Sequence, residues 1–180
     1  MPRDRRLFFE FKKTFSGGNT ISLLDFSPSR SLYRKIKQIK NINYFPTDLS
    51  SDFISEYQYD ITKIPVKDQS FDYIFCYHIL EHIEEDSKAM SELYRVLKDD
   101  GKIFVQTPFK EGGIYENSDV KTNADRLKHF GQEDHVRIYS VNGLADRLKK
   151  AGFYVAVNTF DKDEFFGLSK NETVLLLSKK

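Results

Sequence analysis

Hydrophobic positions follow two different periods along the chain. From Arg3 to Phe15 apolar side chains recur every three or four residues, which predicts a helix with one buried face, ended by the glycines of SGGN. Short runs of consecutive apolar residues follow, such as ISLLDF from Ile21 and FDYIFCY from Phe71. Runs of this kind are typical of strands buried on both faces of a parallel sheet. We therefore expect residues 1–19 to form a helix packed on a buried sheet.

Strands and helices alternate through the rest of the chain. Further strands are predicted at INYFPTDLS, KIFVQTP, FYVAVNTF and TVLLLS, and helices at DSKAMSELYRVLKDDG and VNGLADRLKK. Another helix is predicted directly after the first strand, where Ser27 can cap it and Pro28 suits the first turn because it has no N–H. This alternation predicts an α/β fold, a mainly parallel sheet covered by helices on both sides.

The charge balance favours a small partner over a polyanion. The 28 Lys and Arg residues nearly cancel the 27 Asp and Glu residues, so the net charge of +1 provides no field that would attract nucleic acid or an anionic membrane. A length of 180 residues suits one domain, spanning 1–180. The pattern leaves the oligomeric state open.

The cysteine content and the lack of long apolar runs predict a cytoplasmic protein. Cys76 is the single cysteine and lies in an apolar run, which suits a reducing compartment and a place in the core. No run of eighteen apolar residues occurs, and the first residues lack the apolar stretch and cleavage site of a signal peptide. We expect neither a membrane span nor secretion.

Polar residues at the ends of two predicted strands are candidate ligand contacts. In open α/β sheets ligands bind beyond the carboxyl ends of the strands. Ser27 and Ser29 follow the first strand, where the start of the next helix favours an anionic group. Asp48 closes the second strand, 19 residues after Ser29, and a carboxylate there suits the two hydroxyls of a ribose.

Two further strand ends extend the candidate site. At Asp60 an acid is followed by the backbone amide of Ile61, a pair that could bind an adenine edge. Tyr77 and His78 end the most strongly apolar strand of the sequence. Together the four strand ends predict a nucleotide-type ligand along one edge of the sheet.

Several of these segments carry a family resemblance. DITKIPVKDQSFDYIFCYHILEHI, from Asp60, resembles the part of class I S-adenosylmethionine-dependent methyltransferases that includes a Ser-Phe-Asp strand start and a His-x-Leu-Glu-His turn. AMSELYRVLKDDGKIFVQTP, from Ala89, resembles their next helix and strand, and TDLS resembles the acidic end of their second strand. The resemblance covers roughly residues 20–180. It implies a Rossmann-like, seven-stranded, mostly parallel sheet and S-adenosylmethionine as the cofactor.

The resemblance also assigns parts of the cofactor to the strand ends. Ser27 and Ser29 would meet the methionine moiety, and Asp48 would bind the ribose. The adenine would lie against Asp60 and Ile61. The transferable methyl group would lie near Tyr77 and His78, which end the third apolar strand.

The first loop differs from the sequence motif that is usual in this family. The usual motif is Asp-x-Gly-x-Gly-x-Gly, whereas DFSPSRS, from Asp25, has serine in all three glycine positions. Serine keeps the small size but lacks the freedom of glycine at positive φ, and Pro28 removes an N–H. GQEDHVR, from Gly131, resembles a stretch found in a branch of these methyltransferases whose first loop also lacks glycine.

The connection after the second strand is short for the family. Only 11 residues separate Asp48 from Asp60, where relatives usually have a full helix and another strand. We expect this crossover to be reduced to a short segment, which bears on the ribose and adenine assignments.

The long polar segment Glu111–Arg137 is the candidate substrate insertion or lid. Within it His135 could accept a proton from the acceptor, Arg137 could hold an acidic substrate group, and Asp134 could orient His135. The alternative is that these side chains are only solvated polar surface.

HILEH, from His78, lacks the His-Glu-x-x-His order of a helical zinc site. The sequence therefore predicts no metal, and His82 is expected to be structural.

The sequence therefore predicts methyl transfer from S-adenosylmethionine to an unidentified small molecule. Two alternatives stay open. One is a methyltransferase-like binding module without turnover, which the absent glycines and the short crossover permit. The other is a nicotinamide-dependent oxidoreductase, against which the lack of a Gly-x-Gly-x-x-Gly loop counts.

Overall fold

The computed structural model of the chain describes residues 2–15, 17–50 and 52–179. The helices are α1 (Pro2–Thr14), α2 (Arg30–Lys37), α3 (Asp86–Val96), α4 (Asn123–Phe130) and α5 (Val141–Lys150), with a 3-10 turn at Leu80–His82. The strands are β1 (Ile21–Phe26), β2 (Ile42–Thr47), β3 (Phe71–Tyr77), β4 (Leu97–Gln106), β5 (Tyr115–Glu116), β6 (Arg137–Ile138), β7 (Phe153–Phe160) and β8 (Glu172–Lys179). None of the helices in this described part has the length and apolar content required to cross a lipid bilayer.

Six strands form the central sheet, in the order β2-β1-β3-β4-β8-β7. The first four run parallel to one another, and β8 is antiparallel to both of its neighbours. This is the α/β architecture predicted from the alternation of helices and strands. The family resemblance led us to expect seven strands, and this number was wrong. The central sheet of the described residues has six.

The missing strand corresponds to the shortened connection after β2. The described residues of the segment between Asp48 and Asp60 form neither a helix nor a strand. They lie along β2 through a parallel bridge between Thr47 and Tyr57 and through hydrogen bonds from the Glu56 and Tyr57 N–H groups to the Pro46 carbonyl. Eleven residues cannot contain the crossover helix that a further parallel strand requires. As a result β2 is the edge of the sheet, a position that tolerates Pro46 because its missing N–H would face away from β1.

Apolar residues from both faces of the parallel strands make two core clusters. On one face Ile74 and Ile103 pack with residues of α3 and α5, among them Leu93 and Leu148. On the other face the neighbouring strand residue Phe75 packs with residues of α1 and α2; the buried members contributed by these helices include Leu7, Phe11, Leu32 and Ile36. Consecutive strand residues point to opposite faces, which explains the continuous apolar runs in the sequence.

Two helix boundaries differ from the sequence-based predictions. Helix α2 is capped by Ser29, whose Oγ accepts a hydrogen bond from the Leu32 N–H at 3.2 Å, and not by Ser27. Helix α3 ends at Val96, because Leu97 is extended and pairs with Phe71 as the start of β4. The residues LKDD therefore belong to a strand, although they were expected to extend the helix.

Helix α1 is fastened to the sheet by one of its basic residues. Although its side chain is charged, Arg6 is only 4% exposed. Its guanidinium donates a 2.9 Å hydrogen bond to the Asp161 carbonyl, approaches Glu172 Oε2 at 3.5 Å and lies 4.5 Å above the Phe160 ring. Because a buried cation needs such partners, these contacts fix the position of α1 beside the carboxyl ends of the strands.

Candidate functional site

A cavity of about 650 Å³ opens at the carboxyl ends of β1, β2 and β3. The chain proceeds from β1 outward to β2 and then returns to β3 on the other side, so the cavity lies at the switch point of the sheet. Its size is that of a small-molecule or cofactor site. The lining includes six of the residues chosen from the sequence at the strand ends: Ser27, Asp48, Asp60, Ile61, Tyr77 and His78.

Ser27 occupies the first glycine position of the family loop in the conformation that glycine would adopt. Its φ is +50°, in the left-handed region that most residues avoid. Its N–H donates to the Thr47 carbonyl at 2.7 Å, and its Oγ donates to Asp48 Oδ1 at 2.7 Å. The loop therefore makes the same backbone turn without glycine, and the serine hydroxyl ties the end of β1 to the end of β2.

Asp48 is buried and holds the loop that follows it. Its Oδ2 accepts hydrogen bonds from Ser50 Oγ at 2.9 Å and from the Asp52 N–H at 3.0 Å. Burial alone would raise the pKa of Asp48, but the hydrogen bonds from Ser27, Ser50 and two backbone amides outweigh it and hold the pKa below 3.8. Asp48 is therefore a carboxylate at neutral pH, facing the cavity.

The wall next to Asp48 is largely apolar. Ile61 is buried, while Leu49 and Phe53 expose 62% and 48% of their surfaces at the cavity mouth. Asp60 is exposed, and its Oδ1 accepts from both the N–H and the hydroxyl of Thr62 at 2.8 Å. Exposed apolar side chains around a concave site suit a flat ring that they could cover.

The end of β3 brings unpaired polar atoms to the cavity. His78 has a φ of +55°, so two of the four non-glycine residues with positive φ among the described residues line this cavity. Tyr77 Oη and His78 Nε2 are buried and have no hydrogen-bond partner in the described part of the chain. Unsatisfied polar groups and strained backbone at one place are typical of binding sites.

The insertion contributes an imidazole to the same cavity. His135 is 5% exposed, and its ring lies edge-on to that of His82 with the centroids 4.7 Å apart. Burial, and then the neighbouring His82, lower the pKa of His135 below 6.5, so it is neutral at pH 7. Asp134 was expected to orient His135, but its Oδ2 lies 3.2 Å from His82 Nδ1.

Glu81 lies under these rings as a buried acid. It is 1% exposed, and neither carboxylate oxygen has a hydrogen-bond partner among the described residues. His78 Nδ1 approaches Oε1 at 3.2 Å, but without the angles of a hydrogen bond. One ligand atom each from Glu81, His82 and His135 lie within 4.8 Å of one another, so this group could hold a metal ion. The spacing within HILEH gave no indication of it, because the third residue comes from a distant segment.

Arg137, expected to hold an acidic substrate group, lies outside the cavity lining. It is buried, and its guanidinium donates to the backbone carbonyls of Leu80, Ile83 and Glu84 and to Glu116 Oε2. Through these hydrogen bonds Arg137 joins the insertion to the turn after β3.

Ser29 also lies outside the cavity lining. Its hydroxyl caps α2 and lies 3.1 Å from that of Ser31. Of the two serines assigned to the methionine end of a cofactor, the structure brings only Ser27 to the cavity.

Arg3 and His82 are cavity residues that the sequence did not single out for function. No local pattern distinguishes Arg3 from the other basic residues of α1. His82 was interpreted as structural. Both reach the cavity through long-range packing, α1 through the sheet face and His82 through its contact with the insertion.

A sequence profile described as a methyltransferase domain matches residues 14–105, just over half of the chain. Demethylmenaquinone methyltransferase from Streptomyces avermitilis is 39% identical over 112 residues, covering 52% of this chain and 47% of that protein. Phosphoethanolamine N-methyltransferase 2 from Caenorhabditis elegans is 29% identical over 102 residues, covering 55% of this chain and 22% of that protein. The chain thus matches less than half the length of either relative.

Solved structures share the fold along most of the chain. A SAM-dependent methyltransferase from Archaeoglobus fulgidus superposes with a TM-score of 0.68 at 14% identity, covering 98% of this chain and 92% of that one. The [4+2]-cyclase SpnF superposes with a TM-score of 0.65 at 18% identity, covering 86% of this chain and 60% of that one. Identities this low establish the fold alone, and a cyclase stands beside a methyltransferase among the neighbours.

Proposed function

The chain belongs to the methyltransferase domain family, and on this premise we propose that it transfers the methyl group of S-adenosylmethionine to a small-molecule acceptor. The observation that carries the proposal is the cavity at the switch point, where the ionised Asp48 and the left-handed Ser27 close the ends of adjacent strands. The sulfonium is already a good leaving group. The main task of the protein is then to hold the acceptor in line with the methyl group.

The cavity residues fit the parts of the cofactor in the order given by the strands. Asp48 would accept hydrogen bonds from the ribose hydroxyls, because each carboxylate oxygen can accept more than one. Ile61 and the exposed ring of Phe53 would enclose the adenine, with Asp60 at its edge. Ser27 would lie under the methionine moiety. Tyr77 and His78 would face the sulfonium region, where their unpaired polar atoms are available.

Arg3 adds a cation at the cavity wall formed by α1. We assign it to the carboxylate of the methionine moiety, since a guanidinium donates to a carboxylate through two parallel hydrogen bonds.

His135 is the group of the insertion that would meet the acceptor. A neutral imidazole in the cavity lining can take a proton from an acceptor that does not lose it readily.

His135→Gln is expected to lower the transfer rate by about 100-fold. The wild-type rate should be constant at and above pH 7 and fall only as the pH drops below 6.5, because the pKa of His135 is lowered. Rate measurements from pH 5 to 8 test this, and undiminished turnover of the variant would remove His135 from the mechanism.

Transfer itself is tested with S-adenosylmethionine labelled on its methyl group and a small-molecule extract of the source cells. Wild type and Asp146→Asn, which alters an exposed acid on α5, are expected to label a product and release S-adenosylhomocysteine. Asp48→Asn should do so at least about 10-fold more slowly, since hydrogen bonds to a charged group are lost. Binding of the cofactor without any transfer would favour the non-catalytic binding module.

The alternative of a nicotinamide-dependent oxidoreductase is tested by the ligand that stabilises the protein against heat. Thermal stabilisation by NAD, with none by S-adenosylhomocysteine, would support it in place of methyl transfer.

The compartment and domain organisation are part of the proposal. Burial raises the pKa of the Cys76 thiol, so it is an unreactive core residue, as suits a protein of the cytoplasm. We treat residues 1–180 as one domain, with 111–137 as its substrate insertion. Localisation of a fluorescent fusion to a membrane or an exported fraction would contradict the cytoplasmic assignment.

A further inference from the structure

We propose that Glu81, His82 and His135 bind a divalent transition-metal ion at the acceptor end of the cavity. The three residues come from the turn after β3 and from the insertion, and their ligand atoms lie within 4.8 Å of one another. In a tetrahedral zinc site with bonds of about 2.0–2.1 Å the ligand atoms lie about 3.3 Å apart, so a modest contraction completes the site. His82 is only partly buried, which leaves its ring room to make this movement.

The buried acid is the observation that requires a partner. Glu81 is 1% exposed, and both of its carboxylate oxygens lack hydrogen bonds in the described part of the chain. His78 Nδ1 approaches Oε1 at 3.2 Å but does not form a hydrogen bond with it. An acid buried without hydrogen bonds is costly, and a bound cation is one of the ways in which proteins satisfy it. The two imidazoles beside it are the side chains that supply further ligands.

One of the two imidazoles also has the carboxylate support that is typical of metal ligands. Asp134 Oδ2 lies 3.2 Å from His82 Nδ1, which favours a proton on that nitrogen and leaves Nε2 with its lone pair. The His135 ring lies edge-on to that of His82, with the centroids 4.7 Å apart. A carboxylate or carbonyl on the second ring nitrogen is the usual support of a metal-binding histidine.

The ligand set indicates which ions would bind. Two imidazoles and one carboxylate favour zinc, cobalt, nickel or iron over magnesium and calcium, which prefer oxygen ligands. Three protein ligands leave a coordination position open, and His82 and His135 both line the cavity. An oxygen or nitrogen of the acceptor could occupy that position.

Metal binding by these three residues does not depend on the proposed function. Only the statement that the acceptor occupies the open coordination position rests on it. The proton-accepting role given to His135 above belongs to the metal-free protein, because a metal-bound His135 is a ligand and has no free lone pair at the metal-bound nitrogen. Loss of activity in His135→Gln therefore does not separate the two roles. Glu81→Gln separates them, because a free His135 base does not need the Glu81 carboxylate, whereas the metal does.

The test is a Co²⁺ titration of untagged protein after dialysis against a chelator, followed by visible absorption, with Zn²⁺ affinity measured by competition. We expect one ion per chain, with binding weakened at least about 100-fold in Glu81→Gln, His82→Gln and His135→Gln, since even supporting residues of metal sites contribute 10–100-fold. The matched control is His129→Gln, because His129 Nδ1 lies 2.6 Å from the Tyr115 hydroxyl and the residue is not in the cluster. Its affinity should equal that of wild type.

Absence of Co²⁺ binding would overturn the proposal, as would binding that Glu81→Gln leaves unchanged or that His129→Gln weakens equally. Melting curves of the apo variants identify any that fail to fold, and the isosteric Glu81→Gln then carries the comparison. The titration contains neither cofactor nor acceptor, so its failure would leave methyl transfer untouched. Failure of cofactor binding would equally leave the metal result standing.

Discussion

At the scale of single residues, the serine loop works through an unusual backbone conformation. Ser27 has a φ of +50°, which costs a non-glycine residue about 1–2 kcal/mol. The hydrogen bond from its hydroxyl to the charged Asp48 offsets this cost. Glycine would relieve the strain but lose the bond, so serine is a different solution for the same turn.

Substitutions of Ser27 therefore have an expected order of stability. Ser27→Ala keeps the strained φ and loses the hydrogen bond, whereas Ser27→Gly loses only the bond, so the glycine variant should be more stable by about 1 kcal/mol. Ser31, in helix α2, is the matched control. In a helix Ser31→Ala should be more stable than Ser31→Gly by a similar amount, which is the reverse of the order at Ser27. Urea unfolding measures both pairs, and equal stabilities of the two Ser27 variants would contradict the account.

A second residue near this loop is predicted to give stability a distinct dependence on pH. Asp25 is buried at the end of β1, and desolvation raises its pKa from 3.8 to about 8, although a hydrogen bond from the Tyr44 hydroxyl at 2.7 Å opposes the shift. Between these values the folded chain keeps a proton that the unfolded chain has lost. The contribution of Asp25 to stability is therefore present at low pH and is lost as the pH rises toward 8.

Asp25→Asn removes this titration. Relative to the variant, the wild type should lose about 2–3 kcal/mol of unfolding free energy between pH 5 and pH 7, at up to about 1.4 kcal/mol per pH unit. Denaturant unfolding of both proteins across this range provides the measurement. A difference that stays constant with pH would show that Asp25 is ionised in the folded protein.

At the scale of secondary-structure elements, α1 and the short connection after β2 shape the cavity. Helix α1 is fixed by the contacts of Arg6 and by Phe11, whose ring packs edge-on against Tyr73 and Phe75. It thereby brings Arg3 to the cavity wall. On the opposite side the connection is reduced to a loop, which Asp48 organises through Ser50 and the Asp52 amide.

The contact of α1 with the methionine carboxylate has a selective test. Arg3→Gln should weaken S-adenosylhomocysteine binding about 10-fold, because a charge-assisted hydrogen bond is lost. It should leave 5′-methylthioadenosine binding unchanged, since that ligand has no carboxylate. Lys12→Gln, on the same helix but outside the cavity lining, should alter neither affinity. Equal weakening of both ligands by Arg3→Gln would mean that α1 acts on the cavity in some other way.

At the scale of the whole molecule, the sequence predicted what depends on local periodicity. Continuous apolar runs such as that of β3 gave the parallel strands, and six residues at the strand ends proved to line one cavity. The prediction of a seventh strand was wrong. That strand was expected only from the family resemblance, and the chain after Asp48 is too short to form it. Arg3, Glu81 and His82 could not be assigned from the sequence, since their environment is created by packing between distant segments.

The central claim is that the cavity beside the serine loop binds the cofactor. Calorimetric titration with S-adenosylhomocysteine, at fixed salt and pH, tests it most directly on wild type, Asp48→Asn and the surface control Asp146→Asn. The account predicts micromolar binding to wild type and to Asp146→Asn, and at least about 10-fold weaker binding to Asp48→Asn. No heat of binding in wild type, together with no rise in its melting temperature, would contradict it.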